Sequence, residues 1–167
     1  DFIKLYADFK NSDVSFKMTP AVRSPSRPCI EEGNCNWELA TVCAFNQTNT
    51  TGQVAFLACM DEKAMGSAAS MIVGTQVALN AAKHCSVGTS IDVQQLASCY
   101  GGPEGQGLLS EASKVFNKQF PGPASVPHTF VGSKDVHAGY SDLKNAICAA
   151  GSTAPACKTL GNAACVI

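Results

Sequence analysis

Charged residues are scarce in this 167-residue chain, and neither sign is concentrated. Asp, Glu, Lys and Arg make up 15% of the sequence, and the formal net charge is −1. The tightest basic cluster, Arg23 to Arg27, is interrupted by serine and proline. Recognition of nucleic acids through a basic face needs clustered Lys and Arg, so no nucleic-acid partner is expected.

Long apolar runs are also missing. The longest uninterrupted run, Val54 to Met60, is far shorter than the roughly 20 residues that cross a bilayer, so we expect no membrane span. Apolar residues nevertheless make up 46% of the chain, which is enough to bury the core of one domain. Residues 1–167 are therefore predicted to form a single domain.

The nine cysteines include no C-x-x-C pair, because at least five residues separate any two of them. Zinc knuckles need ligand pairs about two to four residues apart, and dithiol catalysts need a similarly close pair. We therefore expect no metal, no cofactor and no catalytic dithiol within the chain. The simplest interpretation is four structural disulfides and one further cysteine. Eight cysteines allow 105 pairings, so spacing alone leaves the connectivity open.

One pairing is predicted from local structure. Cys85 and Cys99 flank a short loop between two predicted helices, and Val87 to Ile91 is long enough to let the ends meet. Closing such a loop contributes roughly 3 kcal/mol through the unfolded state. Four earlier cysteines are expected to pair mainly among themselves, in an order left open: Cys29, Cys35, Cys43 and Cys59.

Two adjacent sequons indicate passage through the secretory pathway. They are Asn46-Gln47-Thr48 and Asn49-Thr50-Thr51, within a polar stretch that ends at Gln53. Glycan acceptors and abundant cysteine both fit an oxidising compartment. We expect Asn46 and Asn49 to be exposed on a loop, with at least one glycosylated. Asn49 is favoured, because Gly52 is expected to leave its side more open.

Apolar periodicity predicts a strand on either side of a long helical region. Phe2 to Phe9 has helical spacing, and Val14 to Met18 then alternates as a half-buried strand does. Pro127 to Gly132 is predicted as a second short strand. The other predicted helices are a segment carrying Trp37 and Cys43, Val54 to Met65, Ala68 to Cys85, Val93 to Cys99 capped by Asp92, Gly105 to Phe120, and a final helix through Leu143 and Cys148.

In the order and spacing of these residues, the chain resembles the gamma-interferon-inducible lysosomal thiol reductase (GILT) family from about Phe2 to Cys157. The residues that carry the resemblance, in chain order, are Phe2-Ile3, Leu5-Tyr6, Asp13-Val14, Phe16, Cys29, Gly33, Cys35, Cys43, Cys59-Met60, Glu62, Cys85, Cys99, Leu108-Leu109, Val126-Pro127, Val131-Gly132, Leu143, Cys148 and Cys157.

The resemblance implies an α/β (α+β) thioredoxin-like fold with a mostly helical, disulfide-linked insertion at about residues 29–120. The family reduces disulfides of protein substrates in acidic endolysosomal compartments, with a C-x-x-C at the start of its first helix, where the helix dipole lowers the thiol pKa. Eight cysteines match its non-catalytic ones, which makes these structural: Cys29, Cys35, Cys43, Cys59, Cys85, Cys99, Cys148 and Cys157. The location implied is secreted or lysosomal.

This sequence departs from the family at the catalytic residues. The family dithiol would precede Asp1, and its Cys-Gln-His-Gly signature reads Cys29-Ile30-Glu31-Glu32-Gly33 here. The chain has neither an initiator Met nor a signal-peptide pattern at Asp1, so we expect a mature or truncated product. The first strand of the fold is then missing from this chain, and an upstream segment or a partner chain is expected to supply it, because its loss would leave backbone groups unpaired.

Two further residue assignments follow. In the resemblance Val126 and Pro127 form the substrate-side loop with a cis proline, the alternative being an ordinary trans proline that opens an edge strand. Cys165 lies outside the family pattern, and we expect an interchain or tail-clamping disulfide there, the alternatives being a free thiol or a rearranged internal pair.

Two functions therefore remain open. The chain is either most of a thiol reductase whose dithiol lies upstream, or a non-catalytic secreted glycoprotein that keeps the fold for binding or structural assembly. In both cases this chain alone is expected to show no reductase turnover.

Overall fold

The computed structural model describes residues 2–22, 35–67, 75–121 and 128–158. Within these ranges the chain forms a helix-rich α+β structure with one two-stranded antiparallel sheet. The elements, in chain order, are α1 (Phe2–Phe9), α2 (Asn36–Phe45), α3 (Thr50–Ser67), α4 (Thr75–Cys85), α5 (Val93–Gly101), α6 (Pro103–Gln119), β1 (Thr129–Val131), β2 (Lys134–Val136), α7 (Tyr140–Ala149) and α8 (Pro155–Lys158).

The chain divides into two compact units. The first consists of Asp1–Lys17 and Ala124–Ile167, so it contains α1, the sheet, α7 and α8. The second consists of Met18–Pro123 and contains α2 to α6. The helical insertion predicted at about residues 29–120 lies within the second unit. No helix in the described ranges combines the length and the apolar character that crossing a membrane requires.

Helix α2 supplies much of the core of the second unit. Its small residues Ala40, Cys43 and Ala44 are fully buried, and it packs against α3, α4, α5 and α6. Small side chains let neighbouring helices approach closely, and the larger Phe56 of α3 and Leu96 of α5 fill the space around them. Fully burying one such large side chain contributes about 1.5–3 kcal/mol, so this layer accounts for much of the stability of the unit.

The first unit is built around the contact between α1 and α7. Leu5 and Phe9, one helical turn apart, lie on the buried face of α1 and share a core with Leu143 and Ile147 of α7. The prediction of an amphipathic helix over Phe2 to Phe9 is thus confirmed. Its apolar stripe packs against α7, a helix more than 130 positions later in the sequence.

The prediction of a strand over Val14 to Met18 is wrong. The segment forms no strand, although its side chains alternate between half-buried and exposed as predicted. Phe16 makes edge-to-face ring contacts with Phe2 and Tyr6, at centroid distances of 6.0 and 5.3 Å. The alternation therefore reflects packing against α1, without the backbone pairing that defines a strand.

The described sheet is a single hairpin. Strand β1 falls within the predicted Pro127 to Gly132 strand, and it pairs with β2, which the sequence analysis did not predict. Val131 faces Lys134 across a two-residue loop, in which Gly132 adopts a positive φ of 61° that glycine tolerates well. The sequence pattern did not predict β2, because the polar run from Ser133 to Asp135 lacks the β-branched and aromatic residues typical of strands.

Helix boundaries follow their caps. Asp92 caps α5 as predicted, its carboxylate accepting a hydrogen bond from the Gln95 backbone N–H at 2.7 Å. Helix α3 begins at Thr50, four residues before the predicted start, because Asn49 acts as its N-cap. The polar loop predicted to reach Gln53 is thus only four residues long.

Candidate functional site

Three disulfides lie within the described residues, two in the second unit and one in the first. Cys43 of α2 is bonded to Cys99 of α5, and the Cα atoms are 5.8 Å apart. A second bond joins α3 to α4 through Cys59 and Cys85, with a Cα separation of 5.5 Å. The third bond, Cys148 to Cys157, joins α7 to α8. Disulfide bonding by these six cysteines agrees with the sequence analysis.

The predicted pairing of Cys85 with Cys99 is wrong, as is the expectation that Cys43 and Cys59 pair among the early cysteines. The loop after α4 leads to the first residue of α5, Val93, whereas Cys99 lies six residues further along that helix. At 1.5 Å per residue this places Cys99 about 9 Å beyond the loop, so a short loop does not bring the two sulfurs together. Each cysteine instead bonds to the helix that packs beside it.

Every described cysteine is in a disulfide. Cys35, which precedes α2, is bonded as well as the six above. Cys29 and Cys165 lie outside the described residues, so their roles stay predictions. Cys157 is bonded to Cys148, so it does not serve as an internal partner for Cys165. The described part of the chain thus offers no thiolate for nucleophilic or redox chemistry.

The Cys43–Cys99 bond lies under the tight corner between α5 and α6. Gly105, in the first turn of α6, is buried, and a Cβ atom there would lie 2.3 Å from the Cys99 carbonyl oxygen. The same Cβ would be 3.0 Å from Cys43 Sγ and 2.9 Å from Leu39 Cδ1. Only glycine allows this approach, so Gly105 is part of the packing around the disulfide.

The hairpin carries the side chains nearest in sequence to the predicted substrate-side loop. Val126 and Pro127 lie outside the described residues. Directly after them, His128 Nε2 is 2.6 Å from the Asp135 carboxylate, and its ring lies 5.5 Å from that of Phe130. The His128 side chain is 24% exposed, so it is partly enclosed. The sequence pattern did not indicate Asp135 as a partner of His128.

Tyr140, at the start of α7, links that helix to α1. Its hydroxyl donates a hydrogen bond to Asp8 at 2.5 Å, and the Lys4 ammonium lies 4.3 Å from its ring centroid. The Asp8 carboxylate accepts this bond and so stabilises the protonated phenol, which raises the pKa of Tyr140 above its ordinary value. The phenol is therefore held neutral as a hydrogen-bond donor.

Asp13 fixes the loop that leads to α8. Its carboxylate accepts hydrogen bonds from the Ser152 hydroxyl at 2.7 Å and from the Thr153 backbone N–H at 3.1 Å. The Ser152 bond, followed by the Thr153 bond, lowers the pKa of Asp13. Sequence reasoning gave Asp13 no partner, because these bonds join residues about 140 positions apart.

Both sequon asparagines are exposed, as predicted. Asn46 is the C-cap of α2, and Asn49 is the N-cap of α3. The neighbouring Gln47 accepts a hydrogen bond from the Asp92 backbone N–H at 3.0 Å, which ties this connection to the start of α5. The expectation that Gly52 leaves an open side is wrong, because the Thr48 side chain fills that space: a Cβ on Gly52 would meet Thr48 Oγ1 at 2.0 Å.

These features define a helix-rich α+β protein whose helices are joined by disulfides. Within the described ranges, no group of three or more His, Cys, Asp or Glu side chains is placed to hold a metal ion. Comparison with known proteins adds no family assignment, since no family model, curated protein or solved structure matches the chain.

Proposed function

We propose that this chain is most of a GILT-like thiol-disulfide oxidoreductase domain of the secretory or endolysosomal pathway. In this proposal the catalytic dithiol lies on a segment that precedes Asp1. The substrates are proteins that contain disulfides, and Val126 with Pro127 forms the loop that faces them. The fold is a thioredoxin-like one interrupted by the helical insertion.

The observation that carries the proposal is the way the two units divide the chain. Both ends contribute to the first unit, which contains α1, the β1–β2 hairpin and α7, whereas residues between them form a helical unit. The resemblance implies this order: a first helix, a long disulfide-linked helical insertion, then a later strand and helix. The two disulfides of the second unit join its helices, which supports the same interpretation.

The extended segment Val14 to Lys17 supports the expected strand partner. Its side chains alternate in burial, as those of a strand packed on one face do, and Val14 and Phe16 belong to the core of the first unit. An upstream segment or a partner chain that paired with it would convert this segment into a strand. In a thioredoxin-like sheet such pairing would also place the upstream dithiol next to the start of α1.

One observation favours the alternative, a non-catalytic glycoprotein that uses the fold for binding or assembly. All seven described cysteines are disulfide-bonded, so their chemistry in this chain is structural. In the reductase proposal the catalytic cysteines therefore lie outside these seven. The residues before Asp1 in the precursor therefore discriminate the two functions.

The test compares two purified proteins: the 167-residue chain, and the same chain extended by the residues that its gene encodes upstream of Asp1. We expect the extended protein to contain a C-x-x-C and to reduce insulin disulfides at acidic pH with a thiol as electron donor. The 167-residue chain should show no turnover. Replacing both upstream cysteines by serine is the matched control and should abolish the activity without loss of the helical circular dichroism signal.

The outcomes separate the two functions. An extended protein without a C-x-x-C, or with one but without activity above its serine variant, would contradict the reductase proposal and favour the non-catalytic glycoprotein. Turnover by the 167-residue chain alone would contradict both, because it would require catalytic cysteines within this chain.

A further inference from the structure

The disulfides whose two cysteines are both described differ in how far the fold shields them. We propose that the Cys148–Cys157 bond is a redox-sensitive clasp, which small thiols open in the folded protein so that α8 is released. The inner disulfides, Cys43–Cys99 and Cys59–Cys85, stay closed under the same conditions. Neither cysteine of the clasp has a part in the proposed reductase function, so the clasp is a property beyond it.

The inner disulfides are shielded by the helical core of the second unit. Cys43 and Cys99 are 0% and 2% exposed, and α6 packs on them at Gly105. In the other inner bond Cys59 is half-buried, but it lies within the 18-residue helix α3, and its partner Cys85 is 4% exposed. A thiolate therefore has little access to these bonds unless helices of the core separate.

The Cys148–Cys157 bond is more accessible. Both of its cysteines are half-buried, and they pack against the core of the first unit without belonging to its buried residues. Of the three bonds, this is the one in which neither cysteine is buried. Because the rate of thiol–disulfide exchange depends on access to the sulfur, this bond should react first.

Helix α8, which carries Cys157, buries little apolar surface. It consists of the four residues Pro155–Lys158, none of which is buried, and a helix this short is not stable by itself. It packs against α1 and α7, and the buried residue of this segment, Ala154, precedes the helix and has a small side chain. Local opening of α8 therefore costs little free energy compared with separation of the inner helices.

The opening has a defined limit. The loop between α7 and α8 is fixed by Asp13, whose carboxylate accepts hydrogen bonds from Ser152 and Thr153. These bonds do not involve the cysteines, so they remain when the disulfide is reduced. Helices α1 and α7 also pack on each other directly. Reduction should therefore release α8 and leave α1 and α7 in place.

The reductant is a low-molecular-weight monothiol such as glutathione. Its thiolate forms a bond to one of the two sulfurs, the S–S bond breaks, and the other cysteine leaves as a thiolate that takes up a proton. A second thiol then attacks the mixed disulfide, which releases the remaining cysteine and forms the disulfide of the small thiol. Two electrons pass from two thiols to the protein, so each opening yields two cysteine thiols.

The experiment follows reduction of the folded 167-residue chain. Any thiol present at the outset is blocked with unlabelled N-ethylmaleimide, the reagent is removed, and excess reduced glutathione is added at neutral pH. Samples taken over time are quenched with acid, unfolded and labelled with isotopically heavy N-ethylmaleimide. Peptide mass spectrometry then gives the opened fraction at each cysteine, with glutathione adducts counted as open. We expect Cys148 and Cys157 to open together, at least roughly ten-fold faster than the cysteines of the inner disulfides.

The same reaction in concentrated guanidinium chloride is the control. Without the fold all three bonds are accessible, so their rates should converge. Hydrogen exchange of the glutathione-treated protein measures the structural consequence: peptides that contain α8 should lose protection, whereas those of α1 and α7 should keep theirs. The double variant Cys148→Ser with Cys157→Ser should reproduce this pattern without a reductant.

Comparable rates for the three bonds in the folded protein, or earlier opening of an inner disulfide, would overturn the proposal. A rate difference that persisted in guanidinium chloride would do the same, because local sequence would then explain it. Unchanged protection of α8 after reduction would exclude its release, and loss of protection in α1 and α7 would mean that the bond holds the whole unit. The kinetics use the unmodified chain, so they decide the matter even if the double variant fails to fold. None of these outcomes involves the upstream dithiol, so failure here is distinguishable from failure of the proposed reductase function.

Discussion

Gly105 offers a direct test of how α6 packs on the Cys43–Cys99 disulfide. In Gly105→Ala the new methyl group would meet the Cys99 carbonyl oxygen at 2.3 Å, and backbone cannot yield as a flexible side chain does. Overpacking of this kind costs about 1–3 kcal/mol, and more where backbone must move. Alanine recovers about 1 kcal/mol of helix propensity. We therefore expect a net loss of about 2 kcal/mol, from the upper part of the overpacking range.

The same helix provides the matched control. Gly107 is exposed, and a Cβ there meets no heavy atom within 4 Å. Gly107→Ala should therefore gain about 0.5–1 kcal/mol from helix propensity and restricted unfolded-chain entropy. Urea unfolding of both variants and the wild type, under non-reducing conditions and followed by circular dichroism, gives the differences in free energy of unfolding.

The two glycine variants should move in opposite directions and differ by about 3 kcal/mol. If Gly105→Ala were as stable as the wild type, the close approach of α6 to the α5 carbonyl would be wrong, and with it the account of this corner. If both variants were stabilised equally, helix propensity alone would explain them. Unchanged urea dependence across the three proteins would show that the comparison reports stability of the same folded state.

Three other variants test separate contacts. Asp92→Ala removes the side-chain cap of α5 and should lower the free energy of unfolding by about 1 kcal/mol in urea, whereas Asp92→Asn should lose much less. Replacing both Cys43 and Cys99 by alanine opens a 56-residue separation and should cost about 4 kcal/mol through the unfolded state, and an unchanged melting temperature would contradict this. Because its hydrogen bonds lower the folded pKa of Asp13 below the ordinary value of 3.8, its contribution is complete above that pH and is lost as pH falls through the folded pKa. Asp13→Asn should therefore flatten the acid side of the stability profile, measured as the urea midpoint between about pH 5 and about pH 2, and an unaltered slope would refute the assignment.

Local signals predicted the elements that depend on a few neighbouring residues. The apolar spacing of Leu5 and Phe9 identified α1, and Asp92 identified the start of α5. The early start of α3 was also readable in principle, because Asn49 is a preferred N-cap residue. It was missed because the polar stretch around it was interpreted as a loop that carries glycans.

Contacts between distant parts of the chain could not be predicted in this way. The partner of Cys99 depends on which helix packs beside α5. Sequence distance favoured Cys85, but α2 packs against α5 in the core, and its Cys43 forms the bond. The hydrogen bond from Asn46 to Glu104 has no local signature for the same reason.

By itself the sequence determined a cysteine-rich, mostly helical chain with exposed sequons and without a C-x-x-C, because composition, periodicity and caps are properties of adjacent residues. Only the tertiary structure decided the partners of Cys43, Asp13 and Asn46. It also decided that the alternating segment Val14 to Met18 forms no strand and that Phe16 packs on α1. Such outcomes are set by the meeting of surfaces far apart in the chain, where the burial of apolar side chains, and not local propensity, selects one arrangement.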